Sequence, residues 1–284
     1  MASSDASAIF APGILRGRVA LVTGGGTGLG KATAHELARC GADIVIAGRR
    51  ADVLDAAAVE IAAAGPDGTV SAITADVRET ADASRLINEV LARHDGLDVL
   101  VNNAGGQFFS PAELIAQKGW TAVWRLNVQG TEAMARAAYA AAMGKRGGTI
   151  INVTLSPHNG MPGMAHSGAA RAAVETLTAV LAREWQADGV AVCAVAAGVY
   201  DTEVMVKYPA AVRSGMSRAI PLQRLGRPEE HAWLVALLAS PLGRRLSGTT
   251  VTLDGARDNW FGPWPPEGLQ VDGEVPVEER RPVA

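Results

Sequence analysis

Short β-branched runs alternate with long alanine-rich stretches along most of this chain, and this alternation constrains the fold more than any other feature. Seven of the short runs have the composition of strands, and several are apolar throughout, which is typical of strands buried on both faces of a parallel sheet. Six alanine-rich stretches lie between them. Because parallel strands are joined by right-handed crossover helices, the alternation predicts a doubly wound α/β domain.

The predicted domain is of the Rossmann type, with a seven-stranded, mostly parallel sheet and helices on both faces. The strands are expected at Arg18–Val22, Asp43–Ala47, Thr69–Thr74, Leu97–Val101, Thr149–Thr154, Val190–Val195 and Thr249–Leu253. The helices are expected at Gly28–Cys40, Ala51–Ala64, Thr80–Arg93, Trp120–Gly144, His166–Ala187 and Pro228–Ser240. We expect a single domain over residues 18–258, with an N-terminal arm (1–17), a C-terminal tail (259–284) and a mobile substrate lid at 202–220.

Composition and charge argue against several classes of partner. The 284 residues carry 26 Lys and Arg against 29 Asp and Glu, so a basic surface for nucleic acid or an anionic membrane is not expected. No apolar stretch approaches the roughly 18–20 residues of a membrane span. Cys40 and Cys193 are too few for a disulfide framework or a cysteine-based zinc site. We therefore expect no nucleic acid, membrane or metal partner, and a cytoplasmic location.

The first predicted strand leads directly into a glycine-rich segment, which is followed at once by a helix. Free N–H groups and the helix dipole make such a place suitable for the diphosphate of a dinucleotide, and glycines let the backbone approach it closely. The spacing, G-x-x-x-G-x-G, differs from the common G-x-G-x-x-G, and a purely structural turn is the alternative. The expected cofactor contacts here are Gly24, Gly26, Thr27, Gly28, Leu29 and Gly30.

The end of the second predicted strand bears on the choice between NAD(H) and NADP(H). About 20 residues past the glycines, where an acidic residue would hold an NAD ribose, the sequence has Gly48 followed by Arg49 and Arg50. A carboxylate would repel a 2′-phosphate, whereas a guanidinium would bind it through charge-assisted hydrogen bonds. The sequence therefore predicts NADP(H). The alternative is that both arginines are solvated residues at the start of a helix.

Residues that follow the other strands are further candidates for cofactor contact, because ligands of such sheets bind beyond the carboxyl ends of the strands. These candidates are Asp76, Val77, Asn103, Ala104, Gly105, Val153, Ala197, Gly198, Val199, Tyr200 and Thr202. Together with the glycine segment they predict a cofactor crevice along one edge of the sheet.

These motifs together make the chain resemble the short-chain dehydrogenase/reductase family from about residue 13 to residue 255. Thr23–Gly30 is similar to the family's glycine motif, and Asn102–Gly105 is similar to its Asn-Asn-Ala-Gly motif. Ala197–Thr202 is similar to its Pro-Gly-x-x-x-Thr segment, with alanine in place of proline. The resemblance implies that Asp76 contacts the adenine and that Asn127 is the helix asparagine that holds a proton-relay water.

The catalytic helix departs from the family's pattern, which is Tyr-x-x-x-Lys preceded by an active-site serine. Here Ser167 aligns with the tyrosine, Arg171 with the lysine and, allowing one deletion, Leu155 with the serine. Hydride addition to a ketone leaves an alkoxide that needs a proton donor of matched pKa, which neither Ser167 nor Arg171 provides. Hydride addition to an enoyl thioester leaves an enolate that needs hydrogen-bond donors on its oxygen. The departure therefore favours C=C reduction.

Individual roles in this region have competing interpretations. Arg171 is a candidate to hold the nicotinamide ribose, with a structural ion pair as the alternative. Ser167 lies one helical turn away on the same face and is a candidate oxyanion donor, or else a small residue at the helix start. His158 and His166 are candidates for proton transfer, although histidines with satisfied hydrogen bonds are commoner in loops. The side chain of Tyr200 is a candidate to reach substrate.

A closer resemblance is to the peroxisomal trans-2-enoyl-CoA reductases and the related 2,4-dienoyl-CoA reductases. It is carried by Val101–Glu113, His166–Ala172 and Ala11–Leu15. It implies an acyl-CoA-like substrate, with a hydrophobic carbonyl compound left open. Phe108 and Phe109 then either line an acyl pocket or belong to the core. The candidates for CoA recognition, by charge alone, are Lys207, Arg213, Arg218 and Arg224.

Three functions and two oligomeric states follow as expectations. The first function is NADPH-dependent reduction of a trans-2-enoyl-CoA or similar compound; the second is an alcohol or ketone dehydrogenase with an atypical proton donor. The third is a catalytically silent NADP-binding protein. The family resemblance implies a homodimer or homotetramer through the helices around Thr131–Met143 and Ala169–Glu184. The segment Trp260–Trp264 is expected to pack on a neighbouring subunit.

Overall fold

Seven strands form a single sheet in the computed structural model, which describes residues 7–65, 67–156, 162–207 and 215–259. The strands are β1 (Val19–Thr23), β2 (Asp43–Gly48), β3 (Val70–Thr74), β4 (Val99–Asn102), β5 (Gly148–Leu155), β6 (Val190–Ala197) and β7 (Thr250–Leu253). Their order is β3-β2-β1-β4-β5-β6-β7, and every neighbouring pair is parallel. The predicted fold class is confirmed, and the sheet is parallel throughout rather than mostly so.

Helices cover both faces of the sheet. The α-helices are α1 (Gly28–Arg39), α2 (Ala51–Ala64), α3 (Thr80–Arg93), α4 (Gln117–Trp124), α5 (Gly130–Ala138), α6 (Gly144–Arg146), α7 (Ala165–Glu184) and α8 (Pro228–Ala239). Short 3₁₀ turns lie at Ala112–Leu114, Gln186–Asp188, Glu203–Lys207, Ser217–Ala219, Gly243–Leu246 and Arg257–Asn259. Within the described ranges, no helix has the length and apolar character needed to cross a bilayer.

The predicted helix Trp120–Gly144 is longer and less regular than expected. It begins three residues earlier, at the start of α4, and two π turns, Arg125–Gln129 and Tyr139–Met143, join α4, α5 and α6 into one continuous run. A π turn adds one residue to a helical turn without interrupting the apolar pattern, and such turns are frequent at functional sites. The first of them contains Asn127.

The core consists of two apolar layers, one on each face of the sheet. Ala20 and Val22 of β1 pack on one face with Leu37 of α1, whereas Leu21 packs on the other with Leu86 of α3. Successive strand residues point to opposite faces, so an apolar run such as β1 buries side chains in both layers. All five residues of β1 are buried. This accounts for the absence of polar alternation in the sequence.

The described part of the predicted N-terminal arm packs against α1. Leu15 is buried, and its N–H donates to Cys40 O at 2.9 Å. The hydroxyl of Ser7 donates to the carboxylate of Glu36 in α1. The predicted division into arm, domain and tail stays a prediction, and Trp260–Trp264 lies outside the described residues.

The sheet topology determines where a ligand can bind. β1 pairs with both β2 and β4, and the chain runs outward from β1 in opposite directions to β3 and to β7. In an open parallel sheet, this reversal leaves a crevice at the carboxyl ends of the two central strands.

Candidate active site

A crevice of about 750 Å³ lies over the carboxyl ends of β1 and β4. Most of the predicted site residues line it, and they come from the segments that follow five of the strands, from β5 itself and from α7. They are Gly24, Gly26, Thr27, Gly28, Leu29, Arg49, Arg50, Asp76, Val77, Asn103, Ala104, Gly105, Val153, Arg171, Ala197, Gly198 and Thr202. The predicted residues outside its lining are Gly30, Asn127, Ser167, Val199 and Tyr200.

Two glycines in the segment between β1 and α1 have no space for a side chain. A Cβ atom on Gly30 would lie 2.3 Å from Gly24 O and 2.4 Å from Asn103 Nδ2. A Cβ on Gly25 would lie 2.6 Å from the side chain of Ile46. Gly30 is therefore required beneath the loop rather than at the crevice surface. A backbone cradle of this kind, at the N-terminus of α1, fits the diphosphate of a dinucleotide.

One side chain ties the glycine loop to the loop after β4. Thr23 Oγ1 accepts hydrogen bonds from the N–H groups of Asn103 and Ala104, each at 3.1 Å. The amide of Asn103 in turn donates to Thr23 O at 3.0 Å. Two predicted cofactor-binding segments are thus held in a fixed relation by Thr23, a residue that the sequence analysis did not single out.

Basic side chains lie where the segments after β2 and β3 form the crevice. Arg49 and Arg50 are exposed, line the crevice and form no ion pair with any described residue. Arg78, which was not predicted, donates through Nε to Asp76 Oδ1 at 2.9 Å. Hydrogen bonds from this guanidinium hold the pKa of the Asp76 carboxyl below its usual value. The pairing of Arg78 with Asp76 could have been predicted from the sequence, because a short turn brings side chains two residues apart together.

Arg171 is a buried cation on the floor of the crevice. Its Nη1 donates to Val153 O at 2.8 Å, its Nε has no hydrogen-bond partner, and no described carboxylate pairs with it. Burial lowers its pKa to about 10, so it stays protonated at neutral pH. The alternative of a structural ion pair does not fit these contacts. Because an unpaired buried charge is unfavourable, this cation is suited to receive the polar oxygens of a ligand.

The loop after β4 approaches Arg171 closely. A Cβ atom on Gly105 would lie 2.3 Å from Arg171 Nη2 and 3.0 Å from Asn127 Oδ1. Glycine therefore lets the loop backbone rest directly on the guanidinium. The family's glycine at this place has a packing reason in this chain.

Asn127 holds the same loop, the one after β4, through two hydrogen bonds. Its Oδ1 accepts from the N–H of Gly106 at 3.1 Å, and its Nδ2 donates to Gly106 O at 2.9 Å. The side chain is fully buried within the first π turn. Both ends of the carboxamide are engaged by the loop. The side chain thus fixes the loop backbone next to Gln107, and the role of Asn127 in holding a proton-relay water stays a prediction.

Ser167 contacts Gln107 and does not line the crevice. Its side chain is fully buried, and its hydroxyl donates to Gln107 Oε1 at 3.0 Å. The expectation that Ser167 is itself an oxyanion donor does not fit this arrangement, because its single O–H is already donated. Gln107 is exposed and lines the crevice. With Oε1 held by Ser167, the Nε2 end of the planar amide is the end left for a ligand.

His166 lies in an aromatic box behind the crevice. Its ring centroid is 4.3 Å from that of Phe108 and 6.1 Å from that of Trp120. The side chain is buried, neither ring nitrogen has a hydrogen-bond partner, and burial lowers its pKa. His166 does not line the crevice and is neutral at pH 7, which argues against proton transfer as the imidazolium. His158, the other candidate, lies outside the described residues.

Apolar side chains form the opening of the crevice. Phe108 and Phe109 line it and are 42% and 44% exposed, so they do not belong to the core. Leu155, which aligns with the family's active-site serine, also lines the crevice. Its neighbour Ser156 is buried and donates to the carboxylate of Asp254. The position of the usual serine is therefore an apolar contact in this chain.

Two further candidates are engaged elsewhere. The hydroxyl of Tyr200 donates to Leu253 O at 2.9 Å, and its ring lies 5.7 Å from that of His231, so it points into the core and not toward substrate. Arg224 forms two hydrogen bonds with the Glu230 carboxylate, at 2.7 and 3.0 Å, which disfavours it as a CoA contact. Arg213, another candidate for CoA recognition, lies outside the described residues, as do residues 208–214 of the predicted lid.

Comparisons with known proteins agree with this geometry. The family model described as Enoyl-(Acyl carrier protein) reductase matches residues 24–256. A probable 2,4-dienoyl-CoA reductase of Bacillus subtilis is 34% identical over 255 residues, which are 87% of this chain and 98% of the relative. A 3-oxoacyl-[acyl-carrier-protein] reductase of Synechocystis is 35% identical over 85% of this chain and 97% of its own length.

A solved structure, that of a citronellol catabolism dehydrogenase from Pseudomonas aeruginosa, is also similar. It is 40% identical, with a TM-score of 0.79, and the match covers 89% of this chain and 99% of that one. Both the fold and the sequence therefore match over nearly the whole length of known relatives.

Proposed function

Because the chain belongs to the short-chain dehydrogenase/reductase family, we propose that it is an NADPH-dependent oxidoreductase that reduces the C=C bond of a trans-2-enoyl-CoA or a similar unsaturated substrate. The observation that carries this proposal is the pairing of Gln107 with Ser167, which supplies an amide donor where the family's tyrosine and serine are absent. Relatives named as 2,4-dienoyl-CoA reductases support the substrate class.

Gln107 is the proposed donor to the thioester oxygen. NADPH, when bound, supplies the hydride that adds to Cβ of the substrate and leaves negative charge on the thioester oxygen. The Nε2 N–H groups of Gln107 stabilise this charge, because a donor whose amide is already held in place by Ser167 favours the enolate over the neutral thioester. An amide has no acidic proton to transfer, so it suits an enolate and not an alkoxide. The Cα proton then comes from solvent water.

Arg171 is proposed to bind the nicotinamide ribose from the floor of the crevice. Its guanidinium is buried and fixed by Val153 O, so its remaining N–H groups are presented without further ordering. Asn127 and Thr23 hold the loops on which Gln107 and Asn103 stand. Phe108 and Phe109 are proposed to cover the apolar part of the acyl chain near the reacting carbons.

Arg49 supports NADPH over NADH. It lies at the end of β2 with no described ionic partner, and a 2′-phosphate beside it would gain charge-assisted hydrogen bonds. We expect wild-type protein to bind NADPH about 10–100-fold more tightly than NADH, since each such bond is worth roughly 1.5–3 kcal/mol. Arg49→Ala should remove most of this preference and leave NADH affinity unchanged. Equal affinities in the wild type would contradict the proposal.

Turnover on a matched panel tests the reaction type. NADPH oxidation is followed with crotonyl-CoA, a longer 2-enoyl-CoA and ketones of equal chain length. Enoyl turnover with slow or absent ketone turnover supports C=C reduction. Ketone turnover alone would overturn it.

An alcohol or ketone dehydrogenase is the second candidate function. It is favoured by the relative named as a citronellol catabolism dehydrogenase, at 40% identity, and by the relative named as a 3-oxoacyl reductase. The position of Ser167 argues against this function, because its hydroxyl proton is donated to Gln107 and is not directed at a substrate oxygen. Binding of NADPH with no turnover across the panel would instead indicate the third possibility, a catalytically silent NADP-binding protein.

We also propose a homodimer or homotetramer and a cytoplasmic location. Val180 is 41% exposed on α7, one of the two helices that the family resemblance assigns to an interface. Trp124, also 41% exposed, ends α4, which leads into the other. Cys40 and Cys193 are buried free thiols, which suits a reducing compartment. A monomer in solution scattering would contradict the first proposal, and a fluorescent fusion outside the cytoplasm would contradict the second.

A further inference from the structure

A carboxylate from the opposite rim of the crevice is hydrogen-bonded to the glycine loop. Glu203 Oε1 accepts from the backbone N–H of Gly28 at 2.8 Å, although the two residues are 175 apart in sequence. Gly28 begins α1, and Glu203 begins the 3₁₀ turn Glu203–Lys207 directly after Thr202. Gly28 and Thr202 both line the crevice, so this contact joins its two rims.

The start of α1 lacks an anion from its own sequence. The first turn contains no acidic residue, and Thr27, which precedes the helix, makes no side-chain capping hydrogen bond. The first N–H groups of a helix have no intrahelical acceptor, and they carry the positive end of the helix dipole. Glu203 brings a carboxylate to this position. The diphosphate of the proposed cofactor would seek the same donors, so two anions compete for one helix start.

We propose that the contact between Glu203 and Gly28 is a latch. It holds the turn Glu203–Lys207 on the glycine loop, and the Glu203 carboxylate leaves Gly28 when the diphosphate binds. The segment that carries it is exposed: Val206 is 72% accessible, and the N–H of Met205 bonds locally to Thr202 O at 2.9 Å. Such a segment can move without breaking core contacts. The population in which Glu203 occupies Gly28 reduces the apparent affinity for the cofactor, and its release couples cofactor binding to movement of the turn Glu203–Lys207.

This inference rests on the proposed dinucleotide site, but not on which substrate is reduced. Its test compares Glu203→Ala with Asp201→Asn, which removes one negative charge from an exposed carboxylate two residues away that has no side-chain hydrogen bond with the described residues. The readouts are the dissociation constants of NADPH and NADH by titration calorimetry, and the hydrogen exchange of residues 203–207 without cofactor.

Glu203→Ala should bind NADPH about two- to fivefold more tightly, which corresponds to the loss of an exposed carboxylate from a helix N-terminus. Residues 203–207 should exchange faster in this variant than in the wild type. Asp201→Asn should change both readouts less. Unchanged or weaker binding by Glu203→Ala overturns the latch, and so does an equal gain in Asp201→Asn, which would indicate a general charge effect. Failure of the wild type to bind either dinucleotide overturns the cofactor site as well.

Discussion

Ser167 donates its hydroxyl proton to Oε1 of Gln107 at 3.0 Å, from a position with no exposed surface of its own. The serine that aligns with the family's tyrosine therefore contacts an amide from another loop, and that amide lines the crevice where the serine does not. If the family's roles were transferred by alignment alone, Ser167 would itself be expected to contact the substrate, and its contact with Gln107 does not fit that expectation.

Gln107→Ala should lower kcat for enoyl-thioester reduction by about 100-fold, the effect of removing one oxyanion donor. Ser167→Ala should lower it by about 2–10-fold, because the amide stays present but loses one hydrogen bond. The double variant should equal Gln107→Ala alone, since Ser167 acts through Gln107. Steady-state kinetics check this, with the NADPH dissociation constant as a control that should not change. Additive losses would show that Ser167 acts independently.

Arg171→Met should weaken NADPH binding by at least about tenfold without destabilising the protein. The guanidinium is buried with no described carboxylate beside it, so replacing it with an apolar side chain of similar length removes an uncompensated charge. The free energy of unfolding is expected to be unchanged or about 1–3 kcal/mol higher, as for other buried charges replaced by apolar groups. Denaturant unfolding and calorimetry check the two parts. A large loss of stability with normal NADPH affinity would assign Arg171 a structural role.

Gly30→Ala should destabilise the protein by more than about 2 kcal/mol and abolish dinucleotide binding. The added methyl group would lie 2.3 Å from Gly24 O, a contact with backbone that must be relieved by moving the loop. Gly26→Ala is the matched control, because its methyl would lie 3.2 and 3.4 Å from the side chains of Val53 and Leu54 and 3.7 Å from the nearest backbone atom, Val53 O. Thermal unfolding should separate the two variants clearly. Equal stability would mean that the loop is less tightly packed than described.

Stability should fall as the pH is lowered from about 6.5 toward 4. His231 is fully buried on α8 with no hydrogen-bond partner, and burial lowers its pKa to about 4 from the usual 6.5. The folded state therefore stays unprotonated where the unfolded state takes up a proton, so the contribution of His231 is complete above pH 6.5 and is lost below it. At about 1.4 kcal/mol per pKa unit, the loss is roughly 3 kcal/mol by pH 4, of which about 2 kcal/mol falls between pH 7.5 and pH 5. Denaturant unfolding at pH 7.5 and pH 5 measures it, and His231→Phe should flatten the difference.

Much of the fold could be predicted because the buried strands are apolar without interruption. All seven strands begin and end within two residues of their expected positions for this reason, and β5 and β6 each run two residues longer. The π turn at Arg125–Gln129 could not be predicted, since one extra residue in a turn leaves the apolar pattern of a long alanine-rich helix unchanged. The glycine segment could be predicted because its residue types, and not a distant contact, carry the signal.

The role of Gln107 could not be predicted in the same way. A glutamine in a loop carries no specific signal, and its partner Ser167 is 60 residues away in sequence. The direction of the Tyr200 side chain could not be predicted either, because an aromatic residue at a strand end can point toward either the crevice or the core. Here the carbonyl of Leu253 and the ring of His231 draw it inward.

The contact between Gly105 and Arg171 links two positions that are far apart in the chain. The glycine leaves no space for a methyl group against Nη2, so the long guanidinium fits only against bare backbone. The family's pattern has the same glycine together with the shorter lysine at position 171, so the glycine is compatible with either cation. In this chain the added methyl group would meet the guanidinium itself, and Gly105→Ala should therefore be tolerated better beside Arg171→Lys than on its own.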